Sequence, residues 1–181
     1  MKPTILFDVD DTLINTTEAV ITYYHPNAQP NKIASLVRKN TEWDFTTTCP
    51  DYTPAVYDEP GFQRLLRVHP TFPILEATLL KDFNVVLGTA GSQEYNAFKQ
   101  SMFPTHNMHF FRSMNKSGYP CDIQIDDRAS CLASEATLKI LLKPRDTEYN
   151  QDPPHDAYII QSLYELPDIL AFYLQHQSFY L

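Results

Sequence analysis

Apolar runs of strand length recur six times along the 181 residues, each bounded by polar or breaker residues. They are Thr4–Phe7, Asn84–Leu87, Met108–Phe111, Asp122–Ile125, Leu138–Leu142 and Ala157–Ile160. Segments of helical spacing lie between several of them. Residues 73–82 set Ile74, Leu75, Thr78, Leu79 and the following Phe83 along one stripe. Residues 92–102 begin at a capping-type serine and align Tyr95, Phe98 and Met102. Strands alternating with helices predict an α/β, Rossmann-like fold: a parallel sheet flanked by helices. Two regions break the rhythm. Residues 25–72, rich in Pro, Asn, Thr and aromatics, read as an insertion after the first strand and helix. Residues 144–156 read as a polar, proline-containing loop before the last strand. Pro167 suits the first turn of a closing helix that runs to about residue 176. The expected division is a core over 1–24 and 71–181, with a small helical cap over 25–70.

The strand ends carry the chemistry. In open α/β sheets ligands bind beyond the carboxyl ends of the strands. The first run, ILFDVDDTL, ends in Asp8, Asp10 and Asp11. The second ends in Thr89-Ala90-Gly91-Ser92, Lys116 lies between the third and fourth, and the fourth ends in Asp126-Asp127-Arg128. If the strands are parallel, these groups converge on one edge of the sheet. Carboxylates gathered in one pocket repel unless a cation neutralises them, and oxygen-only ligands suit Mg²⁺. Such a site with a lysine, a hydroxyl and a helix N-terminus is a phosphate site.

Roles follow from that chemistry. Asp8 would attack phosphorus and form an aspartyl phosphate. Asp10 would protonate the leaving alkoxide and then deprotonate the attacking water. Thr89, Ala90 and Lys116 would hold the phosphoryl group. Asp127 or Asp126 would complete a metal site with Asp8 and the Asp10 carbonyl. Asp11 receives no role.

Taken singly, the signals have plainer readings. The acidic run alone also fits a solvated loop or a helix cap, Thr89 a turn, and Lys116 a surface lysine. His106 and His109 lie three apart without an evident third ligand. Arg128 fits either a phosphate contact or a surface ion pair.

Composition narrows the class. A net charge of −8 argues against nucleic-acid or anionic-membrane partners bound through a broad basic surface. Carboxylates interrupt the first apolar run too early for a signal peptide, and no run approaches the ~20 residues that span a bilayer. Cys49, Cys121 and Cys131 form no paired motif and suit a reducing compartment. A cytoplasmic protein is the expectation. A homodimer stays open.

These residues resemble the motifs of the haloacid-dehalogenase (HAD) type phosphatases. Asp8-Val9-Asp10-Asp11-Thr12 resembles their DxDxT signature, Thr89 their Ser/Thr motif, Lys116 their basic motif and Asp126-Asp127 their acidic motif. Tyr57-Asp58-Glu59-Pro60-Gly61-Phe62 and Asp122–Arg128, with Lys116 ten residues before Asp126, are similar to segments of the 5′(3′)-deoxyribonucleotidase family. That narrower resemblance implies Asp127 as the metal-ligating acid of the pair. It also implies a cap that holds base and sugar among aromatics, for which Trp43, Phe45 and Tyr57 are the candidates, although aromatics in a short insertion also build its own small core. Asp11 stands where glycine is common. The 78 residues between Asp10 and Thr89 suffice for a small cap. The implied activity is Mg²⁺-dependent hydrolysis of a nucleoside 5′-monophosphate, with a deoxyribonucleotide as the expected substrate, to nucleoside and phosphate, in nucleotide metabolism. Phosphatases for sugar phosphates, phosphoglycolate or a nucleic-acid 3′ end would need the same motifs. A phosphoacceptor signalling receiver would lack both the insertion and the fourth-strand Asp-Asp, and an inert binding module would not need the full set.

Overall fold

A computed structural model describes every residue except 43, 79, 117, 133, 134, 146 and 177–181. In chain order the elements are β1 (Thr4–Asp8), α1 (Thr16–Tyr24), α2 (Pro30–Lys39), α3 (Pro60–Gln63), α4 (Thr71–Thr78), β2 (Asn84–Thr89), α5 (Gln93–Met102), β3 (Asn107–Phe110), β4 (Ile123–Asp126), β5 (Leu138–Leu142), β6 (Ala157–Ile160) and α6 (Leu166–His176). The strands form one sheet in the order β3-β2-β1-β4-β5-β6, and every pairing is parallel. Helices flank it. This is the Rossmann-like α/β architecture that the alternation predicts.

The order has one switch point. From β1 the chain continues to β2 on one side, whereas β4 pairs with β1 on the other and continues to β5. A crevice opens at the carboxyl ends of strands that diverge in this way. Register places the acids there together. Phe7 pairs with Ile125, so Asp8 and Asp126 follow side by side, and Asp8 lies opposite Gly88, one residue before Thr89. Gly88 is required by space, because a Cβ there would stand 2.7 Å from Leu6 Cδ1 and 2.8 Å from Phe111 Cε2.

The central strands are continuous apolar runs because both faces are covered. Ile5, Leu6 and Phe7 of β1 and Ile123 and Ile125 of β4 are fully buried. Phe7 meets Phe72 edge to face at 5.8 Å, and Phe72 meets Phe103 in the same way at 5.7 Å. That contact explains one departure from the sequence reading. Helix α4 starts at Thr71 and ends at Thr78, with a separate 3-10 turn at Leu80–Asp82, not as one helix over 73–82. Phe72 and Leu75 supply its buried face, while Ile74 is 57 % exposed. Elsewhere β3 begins one residue earlier and β4 one residue later than the apolar runs suggest.

Residues 25–70 contain α2, two 3-10 turns at Phe45–Thr47 and Pro54–Asp58, and α3. Their aromatics pack on one another: Phe45 on Tyr52 at 5.1 Å and Tyr57 on Phe62 at 5.5 Å. The same cluster is continuous with the main core, since Tyr57 stacks on Tyr95 of α5 at 5.2 Å. No helix among the described residues is long and apolar enough to cross a membrane.

Candidate active site

Asp8 ends β1 with its side chain 10 % exposed, and its Oδ1 accepts a hydrogen bond from Lys116 Nζ. The same ammonium donates to Asp126 Oδ2 at 2.6 Å. Lys116 is only 2 % exposed, so the long loop between β3 and β4 places a buried cation between two strand-end acids. The other oxygen of Asp126 accepts the Arg128 backbone N–H at 3.0 Å. Each oxygen of Asp126 thus has one donor. Asp127 differs: it is 5 % exposed, and among the described residues its carboxylate accepts no hydrogen bond.

The charges respond to this burial. Burial pushes the Asp8 carboxyl up from 3.8 to about 7, against the pull of Lys116. Burial, with Asp8 and Asp126 nearby, holds Asp127 well above the ordinary carboxylate range. Burial alone would lower Lys116, but the two acids that it bridges raise it instead.

Across the crevice, Asp10 is fully engaged. Its Oδ1 accepts from Thr16 Oγ1 at 2.9 Å and Tyr95 Oη at 2.6 Å. Its Oδ2 accepts from Thr89 Oγ1 at 3.1 Å and Lys99 Nζ at 2.8 Å. Burial would raise this carboxyl, but Lys99 and the hydroxyl donors outweigh it and leave Asp10 below its usual value. Lys99 also donates to Thr89 Oγ1 and to the Ala90 carbonyl at 3.0 Å.

The site is thus two clamped halves: Asp8–Lys116–Asp126 and Asp10–Lys99–Thr89. At full ionisation four carboxylates face two ammonium groups, an excess of two negative charges. Asp8, Asp126 and Asp127 each offer an oxygen, all within 4.8 Å of one another. An all-oxygen set, a matching charge deficit and one buried, unpartnered carboxylate fit a hard divalent cation such as Mg²⁺.

The structure therefore brings together Asp8, Asp10, Thr89, Ala90, Lys116, Asp126 and Asp127. Tyr57 lines a cavity of about 510 Å³ with Asp10, Asp58, Ser92, Tyr95 and Met114, and the Ala90 and Gly91 backbone borders it. Phe45 is elsewhere. It is fully buried against Tyr52 and does not line this cavity, so its ring builds the interior of the insertion. Trp43 lies outside the described residues. His106 faces Glu76 at 3.3 Å, and His109 packs between Phe111 and Tyr119. Arg128 lies over the Tyr149 ring at 5.2 Å. Cys49, Cys121 and Cys131 form no disulfide among the described residues, and the Cys131 thiol donates to the Met114 carbonyl at 3.0 Å.

Sequence reasoning missed Lys99, Tyr95, Thr16 and the use of Asp11. Asp11 takes φ 55°, a left-handed conformation that Asp adopts more readily than most side chains. Its carboxylate accepts from Thr17 N at 2.7 Å and from the Thr17 hydroxyl, satisfying donors at the start of α1 where Asn15 makes no cap bond. Arg145 approaches it at 4.0 Å. A signal for Lys99 was present: it lies four residues after Tyr95 and three before Met102, within the buried stripe of α5.

No family model matches the chain, and no curated protein matches it by sequence. Solved structures match over nearly the whole length. A haloacid dehalogenase-like hydrolase from Streptococcus pneumoniae superposes with a TM-score of 0.58 at 14 % identity, covering 92 % of this chain and 98 % of that one. A predicted phosphatase from Clostridium acetobutylicum gives 0.55 at 19 % identity, covering 94 % and 99 %. A HAD-hydrolase from Bacillus subtilis, solved with bound magnesium, gives 0.53 at 16 % identity, covering 93 % and 98 %. The fold is therefore that of the HAD-like hydrolases.

Proposed function

We propose that the chain is a Mg²⁺-dependent phosphomonoesterase that hydrolyses a nucleoside 5′-monophosphate to nucleoside and phosphate. The observation that carries this reading is the placement of Asp8. A buried carboxylate stands at the switch point of a HAD-type sheet, between Lys116 and the unpartnered Asp127, with Asp10 and the Thr89 hydroxyl across the crevice. Magnesium bound to the Bacillus subtilis neighbour supports the choice of ion.

Asp8 and Asp127, with the Asp10 carbonyl, would hold the ion, and Asp126 would orient Lys116. Bound there, the ion supplies positive charge that offsets the phosphoryl oxygens and keeps Asp8 ionised. The Asp8 carboxylate oxygen forms a bond to phosphorus as the bond to the ester oxygen breaks. Asp10, ionised in the free protein, would take the proton that the phosphate monoanion brings and pass it to the departing alkoxide. In the second half, water loses a proton to Asp10 and attacks phosphorus, which releases phosphate and restores Asp8. Lys116 would hold the phosphoryl oxygens through both halves, joined by Thr89 as its hydroxyl proton turns from Asp10 to the phosphoryl group.

The cavity beside Asp10 favours a nucleoside as the leaving group. It has the size of a small-molecule site, two tyrosines on its wall, and no lysine or arginine among its lining residues. Phosphoglycolate would bring a carboxylate beside Asp10 and Asp58, where like charges repel. The test is phosphate release from a panel of nucleoside monophosphates, sugar phosphates and phosphoglycolate, with and without Mg²⁺. Release from nucleotides that requires both Mg²⁺ and Asp8 is the expected result. Faster turnover of sugar phosphates or phosphoglycolate would overturn the nucleotide assignment.

A further inference from the structure

Lys99 is 0 % exposed, which is an unfavourable place for an ammonium group unless every donor is used. All are: Asp10 Oδ2, Thr89 Oγ1 and the Ala90 carbonyl accept from it, and the Tyr95 ring lies 4.0 Å from Nζ. Burial and full occupancy leave it no access to a substrate. Yet two of its three partners are the acid–base carboxylate and the phosphoryl-binding hydroxyl of the proposed reaction.

We infer that Lys99, together with Tyr95, is a positioning residue that fixes the Asp10 carboxylate on the wall of the cavity where the leaving group would sit and holds the Thr89 oxygen beside it. The inference rests on the reaction proposed above. Asp10 lies two residues past the end of β1 in an isolated bridge with Ile14, which orders its backbone and leaves its side chain to be fixed from elsewhere. Four donors from three elements do so: Thr16 from α1, Thr89 from β2, and Tyr95 and Lys99 from α5. Those from α5 are one helical turn apart, so a single rigid helix sets both the angle and the depth of the carboxylate. Proton transfer is sensitive to such placement, because donor and acceptor must come within hydrogen-bond reach.

The inference predicts a dependence on the leaving group. A nucleoside 5′-monophosphate expels an alkoxide that needs a proton as it departs, whereas p-nitrophenyl phosphate expels a stable aryloxide that does not. Lys99→Met is expected to lower kcat on the nucleotide about 100-fold, with KM within about threefold, and to lower kcat on p-nitrophenyl phosphate no more than about tenfold. Tyr95→Phe removes one hydroxyl and keeps the packed ring. It is expected to lower kcat about tenfold on the nucleotide, with the same bias, and it decides the matter if Lys99→Met does not fold. Mg²⁺ binding by calorimetry is expected to be no weaker in either variant, since Lys99 and Tyr95 touch the Asp10 carboxylate and neither bonds Asp8, Asp127 or the Asp10 carbonyl. Equal losses on both esters, or no loss, overturn the positioning role while leaving the phosphatase reading intact. Wild-type protein that hydrolyses neither ester with Mg²⁺ removes the proposed function, and this inference with it.

Discussion

The two lysines of the crevice do opposite things with the carboxylates beside them. Lys116 bridges Asp8 and Asp126 but leaves Asp127 buried and without a donor, so that half is short of positive charge. Lys99 closes a network in which both oxygens of Asp10 have donors in the free protein, so that half carries no unmatched charge. The difference separates binding from orientation. In the proposed reaction a cation would be drawn to the incomplete half, and the side chain that must hold its aim would be the one in the complete half.

The strongest way to break this comparison is to remove its reacting atom. Asp8→Asn is expected to lower kcat at least about 1,000-fold on every ester, because no nucleophile replaces it. Steady-state phosphate release measures this. A residual rate near wild type on any substrate would mean that Asp8 is not the nucleophile.

Next come the lysines as structural cations. Lys116→Met strands two buried acids and is expected to destabilise the metal-free protein by about 3–5 kcal/mol in urea unfolding at neutral pH. Lys99→Met is expected to cost less, because Asp10 keeps three hydroxyl donors. The reverse order would show that the Asp10 half is the more strained.

The incomplete half gives a metal and pH signature. Asp127→Asn is expected to weaken Mg²⁺ binding about 10- to 100-fold by calorimetry, whereas the same change at the doubly bonded Asp126 acts mainly through Lys116. Asp8 and Asp127 hold protons more tightly in the folded chain than in the unfolded one. The Asp8 contribution is therefore fully present below the unfolded carboxyl value of 3.8 and lost as pH rises through about 7, and that of Asp127 is lost in the same direction. Metal-free protein is expected to lose thermal stability over that window, and Mg²⁺ to raise the Tm more at pH 8 than at pH 5. A larger shift at pH 5 would contradict the assigned ligands. The smallest effect belongs to the cavity wall. Ser92 caps α5 by accepting the Tyr95 N–H at 3.1 Å, and its hydroxyl meets Asp58. Ser92→Ala is expected to cost about 0.5–2 kcal/mol, read as a lower Tm.

Sheet and strand ends were legible because periodicity and strand-end chemistry are local. The order of Asp8, Thr89, Lys116 and Asp126-Asp127 along the chain needed only parallel strands to converge. What escaped were partners made by packing between distant elements. Lys99 entered no reading of the sequence, although its spacing from Tyr95 and Met102 set it on the buried side. Phe45 read as a candidate for base stacking, but the insertion needed that ring for its own interior. Asp11 sits where the chain turns with positive φ, and only the return of α1 shows that its carboxylate binds the start of that helix.

The account stands most directly on a covalent bond between Asp8 and phosphorus. Acid-quenched turnover of a nucleoside monophosphate with Mg²⁺, followed by peptide mass spectrometry, measures it. The added mass of one phosphoryl group should appear on the peptide carrying Asp8, localise to that residue on fragmentation, and vanish in Asp8→Asn. Phosphate release without any phosphorylated peptide, or with the group on another residue, would contradict the account.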